Sequence, residues 1–229
     1  MMMERKHLYI LTLASFLALL GCSQQSIHKI HQKPIQFDST RAQLSIEYMD
    51  KHYGMKKETP TIDPKMIVVH WTAIPTFKKS YEFFYESKLS SKRADIQDAG
   101  MLNVSSHYMI KRNGKIYQLL PDTLFARHVI GLNHAAIGIE NIGSKNNRLT
   151  DAQLRANTYL IKKLAREHNI EYLIGHYEYT RFERHPLWKE LNDSYRTDKI
   201  DPGQDFMKRL RDNVRDLQLK GAPDSTASN

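Results

Sequence analysis

Four places in this chain carry side chains with more chemistry than a core needs. His70 ends the apolar run Met66-Ile-Val-Val, and His176 ends Ile170-Glu-Tyr-Leu-Ile-Gly175. Glu140 interrupts the run Ala135-Ala-Ile-Gly-Ile, and Lys199-Ile-Asp201-Pro-Gly203 follows late in the chain. Imidazoles and carboxylates are the groups that move protons near neutral pH when their surroundings tune them. A buried, unpaired carboxylate costs several kcal/mol or shifts its pKa by units, so Glu140 needs a partner or a task. A structural ion pair would satisfy it equally. A histidine at a strand end is also a common hydrogen-bonded core or surface residue, and Asp-Pro-Gly is also a turn. The chemistry rests on the set, and on a fold that gathers it.

Met66–Val69, after Pro60 and Pro64, reads as a strand buried on both faces. His107–Leu120 is two strand-like runs around Asn113-Gly114, a strong hairpin signal, so these two strands are expected to be antiparallel. Gly138 in the Glu140 run permits close backbone approach. Thr150-Asp-Ala-Gln153 is a capping-box pattern, and Leu154, Leu160, Ile161, Leu164 and Ala165 continue at helical spacing to about His168. Strand, helix, strand then lays the Glu140 and His176 strands parallel, with both residues near the C-terminal edge of a sheet, where open α/β sheets place their sites. The expected fold is α/β: one domain, a central mixed β-sheet with helices packed on both faces, and the site at the strand C-terminal edge.

The chain has 229 residues, 41% hydrophobic, 26% charged and 10% aromatic, values that exclude collagen, wholesale disorder and a small disulfide scaffold. Its 34 Lys+Arg against 25 Asp+Glu give +9, a field favouring acidic partners without choosing among them. Residues 1–7 are basic and residues 8–20 apolar, too short a run for a stable span and typical of an export signal. The run ends in Leu19-Leu20-Gly21-Cys22, which resembles the lipobox of bacterial lipoproteins. That resemblance implies a signal peptide over 1–21, cleavage before Cys22 and lipid on its thiol. The mature chain would then carry +8 and no free cysteine, because Cys22 is the only one. Residues 22–45 read as a lipid-anchored tether, 46–220 as the domain and 221–229 as a flexible tail.

In order along the chain, Met66-Ile-Val-Val-His70-Trp-Thr, Ser106-His107-Tyr-Met-Ile, Asn133-His-Ala-Ala-Ile-Gly-Ile-Glu140, Gly175-His176 and Lys199-Ile-Asp201-Pro-Gly203 resemble the motifs of the zinc-dependent N-acetylmuramoyl-L-alanine amidases. The relatives of that family include phage lysozyme-type amidases and peptidoglycan recognition proteins. The resemblance covers roughly residues 60–210. It implies zinc as cofactor, with His70, His176 and Asp201 as ligands. Two imidazoles and a carboxylate leave a fourth position open for water or substrate. It further implies Glu140 as general base, desolvated among Ile137, Ile139 and Ile142, Lys199 as electrophilic helper, and Asn133 and His128 near the substrate. The reaction implied is hydrolysis of the amide between N-acetylmuramic acid and the L-alanine of a stem peptide, in wall turnover or recycling.

Several departures bear on details. Twenty-four residues separate His176 from Asp201, so an inserted loop with Trp188 and Tyr195 is expected beside the site, with His185 and Asp198 as rival ligands. Ala126-Arg127-His128 carries arginine where the family often has an aromatic residue, and Ser106 stands where some relatives place a tyrosine. A non-catalytic peptidoglycan-binding module of the same fold is the alternative. A nucleic-acid-binding domain is set aside, because an exported chain rarely meets that polymer. The expected partners are peptidoglycan or muropeptides, with membrane contact through the N-terminal anchor only and the chain acting as a monomer. Ser23 after Cys22 is not the aspartate of many inner-membrane lipoproteins, so in a two-membrane cell the expected address is the outer membrane, facing the periplasm.

Overall fold

Backbone pairing gathers six short strands into one sheet in the computed structural model, which describes residues 29–90 and 100–224. The strands are β1 (Ile30–Gln32), β2 (Met66–Trp71), β3 (Tyr108–Ile110), β4 (Ile116–Gln118), β5 (Ala136–Asn141) and β6 (Tyr172–Gly175), in the order β1-β4-β3-β5-β2-β6. Only β3 and β4 pair antiparallel, across the Asn113-Gly114 turn closed by Gly114 N–H on the Lys111 carbonyl (2.8 Å). All other neighbours are parallel, so the sheet is mixed as expected. β2 runs between β5 and β6, with His70 opposite Glu140 and Val69 opposite Gly175.

Alternation along β2 sends Ile67 and Val69 to one face and Met66, Val68 and His70 to the other. The first face packs on α3 (Asp151–Glu167) and α4 (Gln204–Asn213) through Leu160, Ile161, Leu164, Met207 and Leu210, all fully buried. Burying a side chain of this size stabilises the fold by about 1.5 to 3 kcal/mol. Thr150 and Gln153 close the expected capping box of α3. The second face carries Val129, Ile130 and Leu132 of the loop before β5, a 3-10 segment His176–Phe182, and α2 (Phe77–Tyr85), whose Phe84 meets Met109 of β3. Polar side chains of α3 also lock the strand ends. Asn157 donates to Asn141 Oδ1 (2.8 Å), and Asn141 donates to the His70 carbonyl (3.1 Å).

The tether boundary is corrected by the structure. Residues 30–32 are a sheet strand paired in register with β4, and α1 (Ser39–Tyr53) starts inside the expected linker, capped by Asp38. Arg41, fully buried, donates through Nη2 to the carbonyls of Phe84 (2.9 Å), Tyr85 (3.2 Å) and Glu86 (2.6 Å), so it satisfies the C-terminal end of α2. The described part of the tail, residues 221–224, is likewise held at Pro223, whose carbonyl accepts from Arg181 Nε (2.8 Å). The expected signal peptide and the Cys22 lipid site lie outside the described residues. Among the described residues no helix is long and apolar enough to cross a membrane.

A linker residue could be replaced at little cost. Arg41→Met instead strands three helix-end carbonyls, and we expect it to lower unfolding free energy by about 3 kcal/mol in urea titrations.

Candidate active site and metal centre

The pairing of β2 between β5 and β6 brings His70, Glu140 and His176 to one edge of the sheet, at the floor of a cleft of about 450 Å³. Asp201 joins them from the turn before α4. Tyr177 N–H holds its carbonyl (3.1 Å), and Pro202 lies close against Gly175, where a built Cβ would stand 3.0 Å from the Pro202 ring. His70 Nδ1 lies 3.0 Å from His176 Nδ1 and 3.3 Å from Asp201 Oδ2, which lies 3.2 Å from His176 Nδ1. Donors held about 2.0 to 2.1 Å from a tetrahedral zinc ion stand about 3.3 Å apart. The triangle therefore fits such an ion, and its two imidazoles and one carboxylate are a donor set zinc accepts. Burial, and then His176, lower the His70 pKa to about 4, which keeps the ring neutral. Burial alone would raise Asp201, but the two histidines outweigh it and hold the carboxyl well below the usual range.

His128 stands behind His70 rather than only in the substrate cleft. His128 Nε2 lies 3.1 Å from the Ala136 carbonyl, which can only accept, so this nitrogen carries the proton. In the neutral ring Nδ1 then accepts from His70 Nε2–H at 3.1 Å. His70 Nδ1 is left bare and aimed at His176 and Asp201. The relay lies against Gly138, where a built Cβ would stand 2.9 Å from the His128 ring and 2.8 Å from Ser106 Oγ, so only glycine fits. Burial and the neighbouring His70 and His107 push His128 well below its ordinary pKa, consistent with a neutral relay.

Asn133 lines the cleft, but its amide is already engaged. Its Oδ1 accepts from the backbone N–H of His128 and Val129, both at 2.8 Å, and its Nδ2 donates to Tyr53 Oη at 2.8 Å. It is 1% exposed, and these bonds hold the His128 loop at the cleft wall.

Glu140 is 8% exposed and its Oε2 has no hydrogen-bond partner among the described residues. Burial, then the Asp201 carboxylate, raise its pKa well above the ordinary range, while Lys199 opposes the shift. The expected apolar cage is corrected, because Ile137 and Ile139 project to the opposite face, onto α3. Lys199, half-buried at the cleft wall, makes no hydrogen bond or ion pair among the described residues.

The inserted loop supplies the rest of that wall through Tyr195 and Thr197, facing Tyr48 of α1. It is fastened to α1 by His52 and Glu190, both buried and 2.9 Å apart, and by Leu191 N–H on the His52 carbonyl (2.8 Å). Trp188 does not reach the cleft; it stacks on Tyr179 (6.2 Å) beneath Arg196. Of the rival ligands, His185 sits by Tyr172 Oη at 3.2 Å, and Asp198 is exposed. Arg127 also lines the cleft and stood out in the sequence only as a departure from a family element, whereas Tyr48 and the His52–Glu190 clasp carried no motif. Only the periodicity of α1 could have pointed to Tyr48.

The sequence profile of the N-acetylmuramoyl-L-alanine amidase family, Amidase_2, matches residues 60–204. Among curated protein sequences none matches. A solved selenomethionine derivative of AmpD is similar in fold, with a TM-score of 0.51 at 20% identity over 81% of this chain and 94% of its own. The amidase LysC from Clostridium intestinale URNW aligns at 18% identity over 84% of this chain and 99% of its own, with a TM-score of 0.48. Bumblebee PGRP-SA aligns at 16% identity over 85% and 98%, also at 0.48. With well over half of its 229 residues matched, this chain belongs to the N-acetylmuramoyl-L-alanine amidase family.

Proposed function

We propose that the chain is a zinc-dependent hydrolase that cleaves the amide between the lactyl group of N-acetylmuramic acid and the L-alanine of the stem peptide. The observation that carries the reading is the cluster of His70, His176 and Asp201 donor atoms beside an unpartnered, buried Glu140 carboxyl. Family members that only bind peptidoglycan lack part of such a set; here every position is filled. His70, His176 and Asp201 would hold the ion, which when bound supplies Lewis acidity toward a water and the lactyl carbonyl.

Glu140 takes a proton from the attacking water as the new C–O bond forms. Because burial favours its protonated form, it can hold that proton and pass it to the alanine nitrogen as the C–N bond breaks. The products are a lactyl carboxylate and a free amine. Lys199, with no other partner among the described residues, faces the oxyanion of the addition step, where such a donor contributes about 2.7 to 4 kcal/mol. His128 keeps His70 in the tautomer that offers Nδ1, as carbonyl-bound histidines do around metals. The Leu19-Leu20-Gly21-Cys22 sequence supports export and lipidation at Cys22, and we propose that the domain works in the cell envelope at the periplasmic face of an outer membrane.

The form starting at Ser23 is expected to carry one zinc per chain and to release free L-alanine amine from muropeptides, with both lost in His176→Ala. Muropeptide binding without metal or cleavage would place the chain among the recognition modules. Glu140→Gln should reduce turnover by about 10² to 10⁴ with metal content unchanged; a parallel loss of zinc would refute its acid–base role. His128→Phe should weaken zinc about 10- to 100-fold in chelator competition, with far-UV dichroism unaltered.

A further inference from the structure

At the far edge of the sheet from the cleft, alternation builds a basic and aromatic strip. Lys29, His31 and Lys33 share one side of β1, and β4 presents Lys115 and Tyr117 beside them, with Tyr117 in register with His31. Phe77, Tyr81 and Tyr85 recur at four-residue spacing on α2, the first pair stacked at 6.3 Å and the second tilted at 5.7 Å. Lysine ammonium groups lie over these rings. Lys33 is 4.3 Å from the Tyr81 centroid, Lys111 is 4.8 Å from Phe77, and Lys115 is 5.5 Å from Tyr117. Among the described residues none of Lys29, Lys33, Lys111 or Lys115 forms an ion pair, and the one carboxylate of α2, Glu82, is 3.9 Å from Lys78. The positive field is felt locally, because after burial it is Lys115 and Lys29 that lower the His31 pKa.

We propose that this strip is a second membrane contact, docking anionic phospholipid headgroups beside the N-terminal anchor. Phosphates suit ammonium groups that already cover the aromatic faces, whereas a sugar ring would need those faces free. Tyrosine and lysine together are also the side chains that settle at a bilayer interface, with apolar bodies inward and polar tips in water. Six residues separate Cys22 from Lys29, and the seven Cα steps reach at most about 25 Å, so an anchored chain keeps this edge near the leaflet. The proposal rests on the anchor only for where the membrane lies; exposure and charge supply the affinity.

The test therefore uses the chain from Ser23, which lacks the anchor and retains every described element. Binding to phosphatidylcholine vesicles with and without phosphatidylglycerol is measured by co-sedimentation across ionic strength. Each lysine near an anionic surface contributes about fivefold. Lys33→Gln/Lys111→Gln/Lys115→Gln should bind the phosphatidylglycerol vesicles about 100-fold more weakly, while soluble muropeptide cleavage and thermal midpoint stay unchanged. Lys56→Gln/Lys57→Gln/Lys208→Gln, equal in net charge but away from the strip, should retain binding. Salt should weaken the wild type steeply. Equal losses in both triple variants, equal binding to neutral vesicles, or binding to isolated peptidoglycan but to neither vesicle would each overturn the proposal.

Discussion

Everything at the cleft depends on β2 lying in parallel register between β5 and β6. That register sets His70 opposite Glu140 and brings Val69 level with Gly175, so that His176 emerges beside them. Strand side chains alternate with a period of two, and a slip of one residue would send His70 into the α3 core and a valine or tryptophan into the site. The continuous burial of Met66 to Val69 makes such a slip costly on both faces. The Asn157–Asn141–His70 hydrogen bonds add a polar latch at the strand end where chemistry is concentrated.

A second constraint is electrostatic. The cleft floor holds several ionisable groups in a poorly solvated place, and such a place tolerates charge only where it is balanced. The fold answers by keeping the supporting imidazoles neutral and by fixing which nitrogen of each carries the proton. His107 donates from Nε2 to the Leu124 carbonyl and accepts the Gly138 N–H at Nδ1, just as His128 bridges Ala136 and His70. Asp201 and Lys199 act on Glu140 in opposite senses, the carboxylate raising its pKa and the ammonium lowering it. Carbonyl acceptors thus do for the histidines what carboxylates do in many metal sites, without adding further negative charge.

Much of this was legible in the sequence. Short apolar runs ending in His70, Glu140 and His176 marked the central strands, the Asn-Gly turn marked the hairpin, and the Thr150 capping box marked α3. Those signals are local, and long buried strands and capped helices declare themselves locally. The order of strands was not legible, because the insertion of β2 between β5 and β6 is set by pairing between distant segments. Residues 30–45 escaped because a three-residue edge strand and a helix that opens Ser39-Thr-Arg-Ala-Gln resemble a polar linker until their partners are known. The resemblance pointed to Asn133 near the substrate but not to what holds its side chain. Its Oδ1 accepts from two backbone N–H groups that only the folded loop brings together.

The clasp between His52 and Glu190 separates two quantities that are easily equated. The family profile ends at residue 60 on its N-terminal side, yet one cleft wall is built on Tyr48 and on a loop fastened to α1. The stretch matched by the family profile is thus shorter than the stretch that builds the cleft. A fragment cut at residues 60–204 would keep every candidate ligand and lose the support of the wall that shapes what reaches them. In this protein, what sets the shape of the substrate's entrance is written partly outside the region by which the family is recognised.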